Sequence, residues 1–168
     1  MNRLLIRRLD PAEPDALSLF ETMDGLFDSI RKRAFSLFQE RGGGVGGDLQ
    51  DWLQAEREFL WVPPAELIEE ENQFRIRLAI PGLEPNEVEV TALPESIVVH
   101  AKASSKEQKD TKAVRLREFA EKELCRRFEF QEPINPDLVQ ASLEKGILEI
   151  TAAKAAPAKQ IKVAVQGA

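Results

Sequence analysis

Apolar side chains recur every three or four residues in the first part of the chain, which is the spacing of one face of an α-helix. Pro14 and Asp15 precede this stripe and are typical of a helix start. Gly25 lies inside it and costs a helix about 1 kcal/mol relative to alanine, so the pattern fits one long helix or two short ones. The stripe consists of Ala16, Phe20, Met23, Phe27, Ile30, Ala34 and Leu37.

A glycine-rich segment at residues 42–47 interrupts the helical pattern and predicts a flexible linker. A second amphipathic run begins with Asp48 as its expected cap and ends before Pro63 and Pro64. Residues 1–61 are therefore predicted to form a helical, mobile N-terminal arm.

The period of the apolar pattern changes from 3.6 to 2 near Trp61, as expected where helices give way to strands. Glu144, Lys145 and Gly146 separate two such alternating runs and predict a β-hairpin in which Gly146 supplies the positive φ of the turn. Alternation of this kind is typical of half-buried antiparallel strands. The predicted strands lie at residues 74–80, 88–91, 97–101, 124–130, 138–143 and 147–151.

Two further segments complete the organisation of the chain. Ser104 to Lys112 carries many charges and no large apolar side chain, which predicts a solvated loop, with a short strand at Val114 and Leu116 beyond it. Residues 62–153 are taken as one all-β domain. Residues 154–168 form an Ala/Lys/Pro-rich tail that leads into Ile161-Lys162-Val163.

Composition excludes several classes of function. The chain has 168 residues and a net charge of −6, and its basic residues are interleaved with acids, so no nucleic-acid partner is expected. It has one cysteine and one histidine, which leaves no internal disulfide and no multi-cysteine or multi-histidine metal site. The glycines at 42–47 lack the Lys-Ser/Thr of a phosphate-binding loop. No cofactor and no enzymatic activity are expected.

No stretch approaches 18 uncharged apolar residues, so no membrane span is predicted. The start of the chain, Met1 to Arg8, lacks the apolar run and cleavage site of a secretory signal. A cytoplasmic location is expected.

Three segments resemble the α-crystallin domain of small heat-shock proteins, of bacterial type. The first is Leu78 to Leu83, with Pro81 and Gly82 in the family's apolar-Pro-Gly turn. The second is Ala141 to Ile150, which matches the family's Ala-x-x-x-x-Gly-(Val/Ile)-Leu-x-Ile hairpin through Gly146 and Leu148. The third, Ile161-Lys162-Val163, resembles the family's terminal Ile-x-Ile/Val anchor.

The resemblance implies an immunoglobulin-like antiparallel β-sandwich that acts as an ATP-independent holdase. Such a protein binds unfolding clients, works as a dimer-based homo-oligomer and hands its clients to ATP-driven chaperones. Arg126 falls where the family places a structural arginine in its dimer-forming strand. By the same resemblance, Ile161 and Val163 anchor the tail in a neighbour's groove between residues 88–92 and 138–143.

The aromatic residues of the arm fit two interpretations. A helical stripe is usually ordinary core. Because a glycine linker isolates these segments from a domain that has apolar faces of its own, and because the family resemblance points the same way, contact with clients or other subunits is the preferred interpretation. The set consists of Phe20, Phe27, Phe35, Phe38, Trp52, Phe59 and Trp61.

Three polar residues of the β region have ordinary structural interpretations. Arg126 lies on an otherwise apolar strand face and is expected to have a carboxylate partner or to lie at a wet dimer edge. Cys125 is expected to be a partly packed strand residue, with a redox role as the lesser alternative. His100 is expected to be exposed. The competing overall function is a co-chaperone or adaptor that binds one folded partner.

Overall fold

The computed structural model describes residues 4–9, 14–102, 115 and 122–156, without the side chains of residues 14–20 and 22. Two four-stranded sheets face each other in this part of the chain, and two helices lie outside them. The helices are α1 (Pro14–Glu40) and α2 (Asp48–Phe59). The predicted loop at Ser104 to Lys112 and the predicted strand residues Val114 and Leu116 lie outside the described residues.

Eight strands build the two sheets within the described ranges. The first sheet has the order β1-β4-β5-β6 and the second the order β2-β3-β8-β7. Every pair is antiparallel except β1 with β4, which is parallel. The strands are β1 (Leu5–Arg8), β2 (Ala65–Glu69), β3 (Gln73–Ala79), β4 (Val88–Leu93), β5 (Ser96–Lys102), β6 (Glu123–Glu129), β7 (Gln140–Glu144) and β8 (Ile147–Ala153).

The core of the sandwich follows from the alternation of the sequence. In β3, Phe74, Ile76 and Leu78 are buried, whereas the residues between them are not. Register places Ile76 opposite Ile150 and Leu78 opposite Leu148 of β8, so apolar residues of neighbouring strands fall on the same face. The predicted all-β sandwich and the alternating strands are confirmed, except that Leu138 lies in a 3₁₀ helix (Pro136–Leu138) and the strand predicted from it begins at Gln140.

The sequence analysis did not predict two of the strands, β1 and β2. β1 contains only four residues, and two of them are arginines. In β2, Leu67 and Ile68 are adjacent and both are exposed, so the strand shows no alternation to detect. Each is a strand because it pairs along a neighbour, β1 with β4 and β2 with β3.

The two helices form a hairpin with a small core of its own. Ile30, Leu37 and Ala55 are buried between them. α1 continues through Gly25 without the break that the sequence allowed, and the Ser29 hydroxyl donates to the Gly25 carbonyl oxygen at 3.0 Å. Arg33 of α1 pairs with Glu58 of α2 at 2.6 Å, which ties the two helices together on the outside.

The glycine-rich segment joins the two helices as a turn that Arg41 contacts on both sides, and the flexibility expected from its composition stays a prediction. Arg41 donates to Asp51 at 2.8 Å and to the Gly44 carbonyl oxygen at 2.8 Å, and it pairs with Asp48 at 3.2 Å. Asp48 is the first residue of α2 and not, as the sequence had indicated, its N-terminal cap. That position is taken by Gly47 in the left-handed conformation.

The two most specific family-like segments touch each other in the fold. The Ile80 N–H donates to the Gly146 carbonyl oxygen at 2.7 Å. A Cβ added at Gly146 would lie 3.0 Å from the Cα of Pro81, so this approach leaves no room for a side chain. Gly146 also has φ +78°, which favours glycine. The β7–β8 turn thus fixes the chain as it leaves β3.

We expect Gly146→Ala to lower the free energy of unfolding by roughly 2 to 4 kcal/mol, because it combines a positive φ with overpacking against backbone. Gly82→Ala is the matched control, since Gly82 has φ +87° and open space around it. That variant should cost about 1 to 2 kcal/mol. Urea unfolding measures both. Equal losses would contradict the packing role assigned to Gly146.

Candidate interaction surfaces

The N-terminal strand β1 covers one edge of the first sheet. Leu5 lies opposite Glu89 and Ile6 opposite Val90 of β4, and the Leu9 N–H donates to the Ala92 carbonyl oxygen at 3.0 Å. Leu4 and Ile6 are half-buried against the sandwich core, whereas Leu5 points outward and is 50% exposed. This is the β4 side of the groove that the sequence analysis assigned to the tail.

Two arginines of the N-terminal segment reach the rim of this groove. Arg7 pairs with Glu89 at 2.8 Å, and the Arg8 Nε donates to the Pro136 carbonyl oxygen at 3.1 Å. The sequence analysis missed this strand. Its sequence carries little strand signal, because Leu5 between Leu4 and Ile6 is also apolar and the strand has only four residues.

The chain that follows α2 contacts the other edge of the first sheet at the start of β6. The Trp61 N–H donates to the Glu123 carbonyl oxygen at 2.9 Å, and Leu60 forms an isolated parallel bridge to the same residue. Arg126 donates to the Pro63 carbonyl oxygen and lies with its guanidinium carbon 5.2 Å from the centroid of the Phe128 ring. Within the described residues, Arg126 thus bonds to backbone and not to the expected carboxylate.

The arm aromatics divide into two groups. Trp52 and Phe59 pack against the core of the helical hairpin, and Trp61 packs against the sandwich. Phe27 and Phe35 are 43% and 59% exposed. Phe38 is half-buried, stacks on Phe35 at 6.1 Å between ring centroids and lies under the Arg41 guanidinium. The Phe20 side chain lies outside the described residues, as do Ile161 and Val163.

Cys125, His100 and Glu123 meet on the outer face of β5 and β6. Cys125 lies opposite His100 in the register, and the His100 Nε2 is 3.3 Å from Glu123 Oε1. His100 is therefore half-buried and partnered, in contrast to the exposed residue expected from the sequence. Burial raises the pKa of the Cys125 thiol, and the Glu123 carboxylate raises it further. A high thiol pKa disfavours the reactive thiolate, which fits a structural residue.

Within the described ranges, no group of three or more histidine, cysteine or acidic side chains is arranged to hold a metal ion. Among the helices of the described residues, none has both the length and the apolar character that a membrane-spanning helix needs.

The two facing sheets, in the orders found here, define an α-crystallin domain. This fold is shared with the small heat-shock protein from Xylella fastidiosa, at a TM-score of 0.52 and 25% identity over 64% of this chain and 98% of that one. Heat shock protein 16.0 from Schizosaccharomyces pombe has the same fold at a TM-score of 0.51 and 18% identity, over 61% of this chain and 98% of that one.

Residues 66–166 match the model of the Hsp20/alpha crystallin family, and since this match spans more than half of the chain, the protein belongs to that family. Two class I heat shock proteins of Oryza sativa subsp. japonica, of 18.1 and 17.4 kDa, are 27% and 26% identical to it over 92% of each chain. Because these relatives are plant proteins, the bacterial type expected from the sequence stays a prediction.

The helical hairpin has a match of its own. Residues 28–60 fit the model of a family described as a protein of unknown function, DUF2934. The match begins within α1 and ends just beyond α2, so it covers the glycine turn and the hairpin core. Membership of the Hsp20/alpha crystallin family supports a chaperone role for the protein.

The Cys125 environment predicts slow alkylation. At pH 8 the thiol should react with iodoacetamide several-fold more slowly than free cysteine, because its raised pKa leaves less thiolate. Glu123→Gln should speed the reaction. Glu129→Gln, the same charge change further along β6, is the control and should not. Since the folded pKa exceeds the unfolded one, stability should fall as pH rises above the ordinary cysteine range. A rate equal to that of free cysteine would contradict this environment.

Proposed function

We propose that this protein is an ATP-independent holdase of the cytoplasm that binds unfolding proteins and keeps them soluble, working as a dimer-based homo-oligomer. Family membership and the two exposed phenylalanines of α1 support the proposal. Clients pass from it to ATP-driven chaperones, which supply the energy for release and refolding. The net charge of −6 keeps the loaded complex in solution.

Phe27 and Phe35 are the proposed centre of client contact. Both belong to α1, whose other apolar face is already used against α2, so they are left over after the hairpin core is complete. An unfolding chain offers apolar segments of no fixed shape, and exposed aromatic rings bind such segments through area and not through a fitted pocket. The neighbouring Phe38 extends this surface through its stacking on Phe35.

The tail carries the proposed assembly. Ile161 and Val163 of one copy dock on the β4 edge of another, and each such contact is weak because the entropy of association offsets much of the apolar burial. Many tails acting together hold the oligomer by avidity while permitting exchange of subunits. The Xylella fastidiosa relative, for which a distinct high order structure is described, lends general support to assembly.

We predict that Phe27→Ser with Phe35→Ser weakens client binding about 30-fold, because each half-exposed ring contributes about 1 kcal/mol when it is covered. The measurement is light scattering from a heat-denatured bystander protein, titrated with each variant in the absence of nucleotide. Val45→Ser with Val62→Ser is the control, since it removes two exposed apolar side chains that lie outside α1 and outside the groove proposed for the tail. Equal protection by both variants would contradict the proposed client surface and favour the adaptor alternative.

Replacing both Ile161 and Val163 with Ala should reduce a large assembly to dimers and leave the domain folded. Loss of the two apolar contacts removes most of the docking energy of each tail. Size-exclusion chromatography with light scattering gives the mass, and circular dichroism gives the fold. An unchanged mass, or an unfolded domain, would contradict the anchor role of the tail.

A further inference from the structure

The edge of β4 that the proposed assembly needs is already occupied by the start of the same chain. β1 takes four register positions along β4, from Leu5 opposite Glu89 to Arg8 opposite Ala92. Its inward side chains pack on the sandwich core, and Arg7 pairs with Glu89. The backbone groups on this side of β4 are thus bonded within the chain.

The tail repeats the pattern of the N-terminal strand. Leu4-Leu5-Ile6 places two apolar side chains inward and one residue outward, opposite Glu89. Ile161-Lys162-Val163 offers the same two apolar positions with a cation between them. In the register of β1, Lys162 would take the position of Leu5 and stand opposite the Glu89 carboxylate. The site therefore suits the tail in both shape and charge.

We propose that β1 and the Ile161-Lys162-Val163 segment of a neighbouring copy compete for the β4 edge, so that β1 is an internal cap which assembly displaces. The inference rests on the proposed docking of the tail. One side of a strand bonds to one partner strand at a time, so the two segments exclude each other. A tail can bind only to molecules in which β1 has left the groove. The apparent affinity for a tail therefore equals the intrinsic affinity multiplied by the fraction of such molecules.

The cap is built to be displaceable. β1 has four residues, its inward side chains are only half-buried, and the Arg7 side chain that pairs with Glu89 is 45% exposed. An exposed ion pair of this kind contributes little to stability. When a tail replaces β1, residues 4–9 are released from the sandwich. Since these residues lie shortly before α1, docking of a tail also detaches the start of the arm that carries Phe27 and Phe35.

The first test measures binding of a fluorescent peptide of residues 155–168 to the full chain whose own tail carries Ile161→Ala and Val163→Ala. Adding Leu4→Ala and Ile6→Ala should tighten the apparent Kd about tenfold, because the cap then binds its groove less well. Leu5→Ala is the matched control on the outward side of the same strand. It should leave the Kd unchanged.

The outcomes separate the two proposals. If the peptide binds all three proteins equally well, the competition is contradicted and the docking stands. If it binds none of them, or if a peptide with both anchor residues replaced by Ala binds as well, the docking itself is contradicted and the competition with it. Neither result bears on the bystander assay for client binding.

A disulfide lock tests the competition without weakening the cap. Leu5→Cys and Glu89→Cys, a register pair on the outer side, join β1 to β4 in a chain that also carries Cys125→Ser. The oxidised protein should not bind the peptide, and reduction should restore binding. Because Glu89→Cys is present in both the oxidised and the reduced protein, its own effect on peptide binding is the same in the two states. Equal binding in the two states would overturn the proposal.

Discussion

An open strand edge invites pairing with another chain, and the N-terminal arm contacts both edges of the first sheet of the sandwich. Within the described residues, these contacts come from the two ends of the arm. Strand β1 pairs along β4 at one side, and the residues after α2 bond to β6 at the other, through the Trp61 N–H and the Pro63 carbonyl oxygen. The arm is therefore bonded to both sides of the sheet, in addition to carrying exposed apolar side chains.

The helical hairpin between these two attachments has a core and a turn of its own. Arg33 and Arg41 fix the hairpin from outside, one across the two helices and the other around the glycines. Its match to a separate family model is consistent with a unit joined to the α-crystallin domain. Once Trp52 and Phe59 are packed, Phe27 and Phe35 remain exposed. The proposed client surface is thus held in position by the hairpin core while its two rings stay accessible.

The sequence predicted the parts of the fold where side-chain pattern and burial coincide. Alternation in β3 and β8, and the turn at Gly146, were readable because each inward position is apolar and the turn needs a positive φ. β1 and β2 were not readable, because their strand character comes from pairing with a neighbour. Composition likewise did not reveal that Arg41 binds both sides of the glycine turn.

The candidate surfaces were predictable to a similar extent. Helical spacing identified the aromatic residues of the arm, but it cannot tell which of them a second helix will cover, and so it did not separate Trp52 from Phe35. Arg126 was expected to need a partner, and its side chain donates to the Pro63 carbonyl oxygen. Local sequence patterns predict which side of a helix or strand is apolar. Which element packs against that side depends on the tertiary arrangement.

The central claim is that this chain holds unfolding proteins without nucleotide. Its most direct test is light scattering from a heat-denatured bystander protein, with and without an equimolar amount of the unmodified chain and with no ATP present. Suppressed scattering, with the bystander recovered in a soluble complex, is the predicted result. Scattering that is unchanged across the whole stress range would contradict the account.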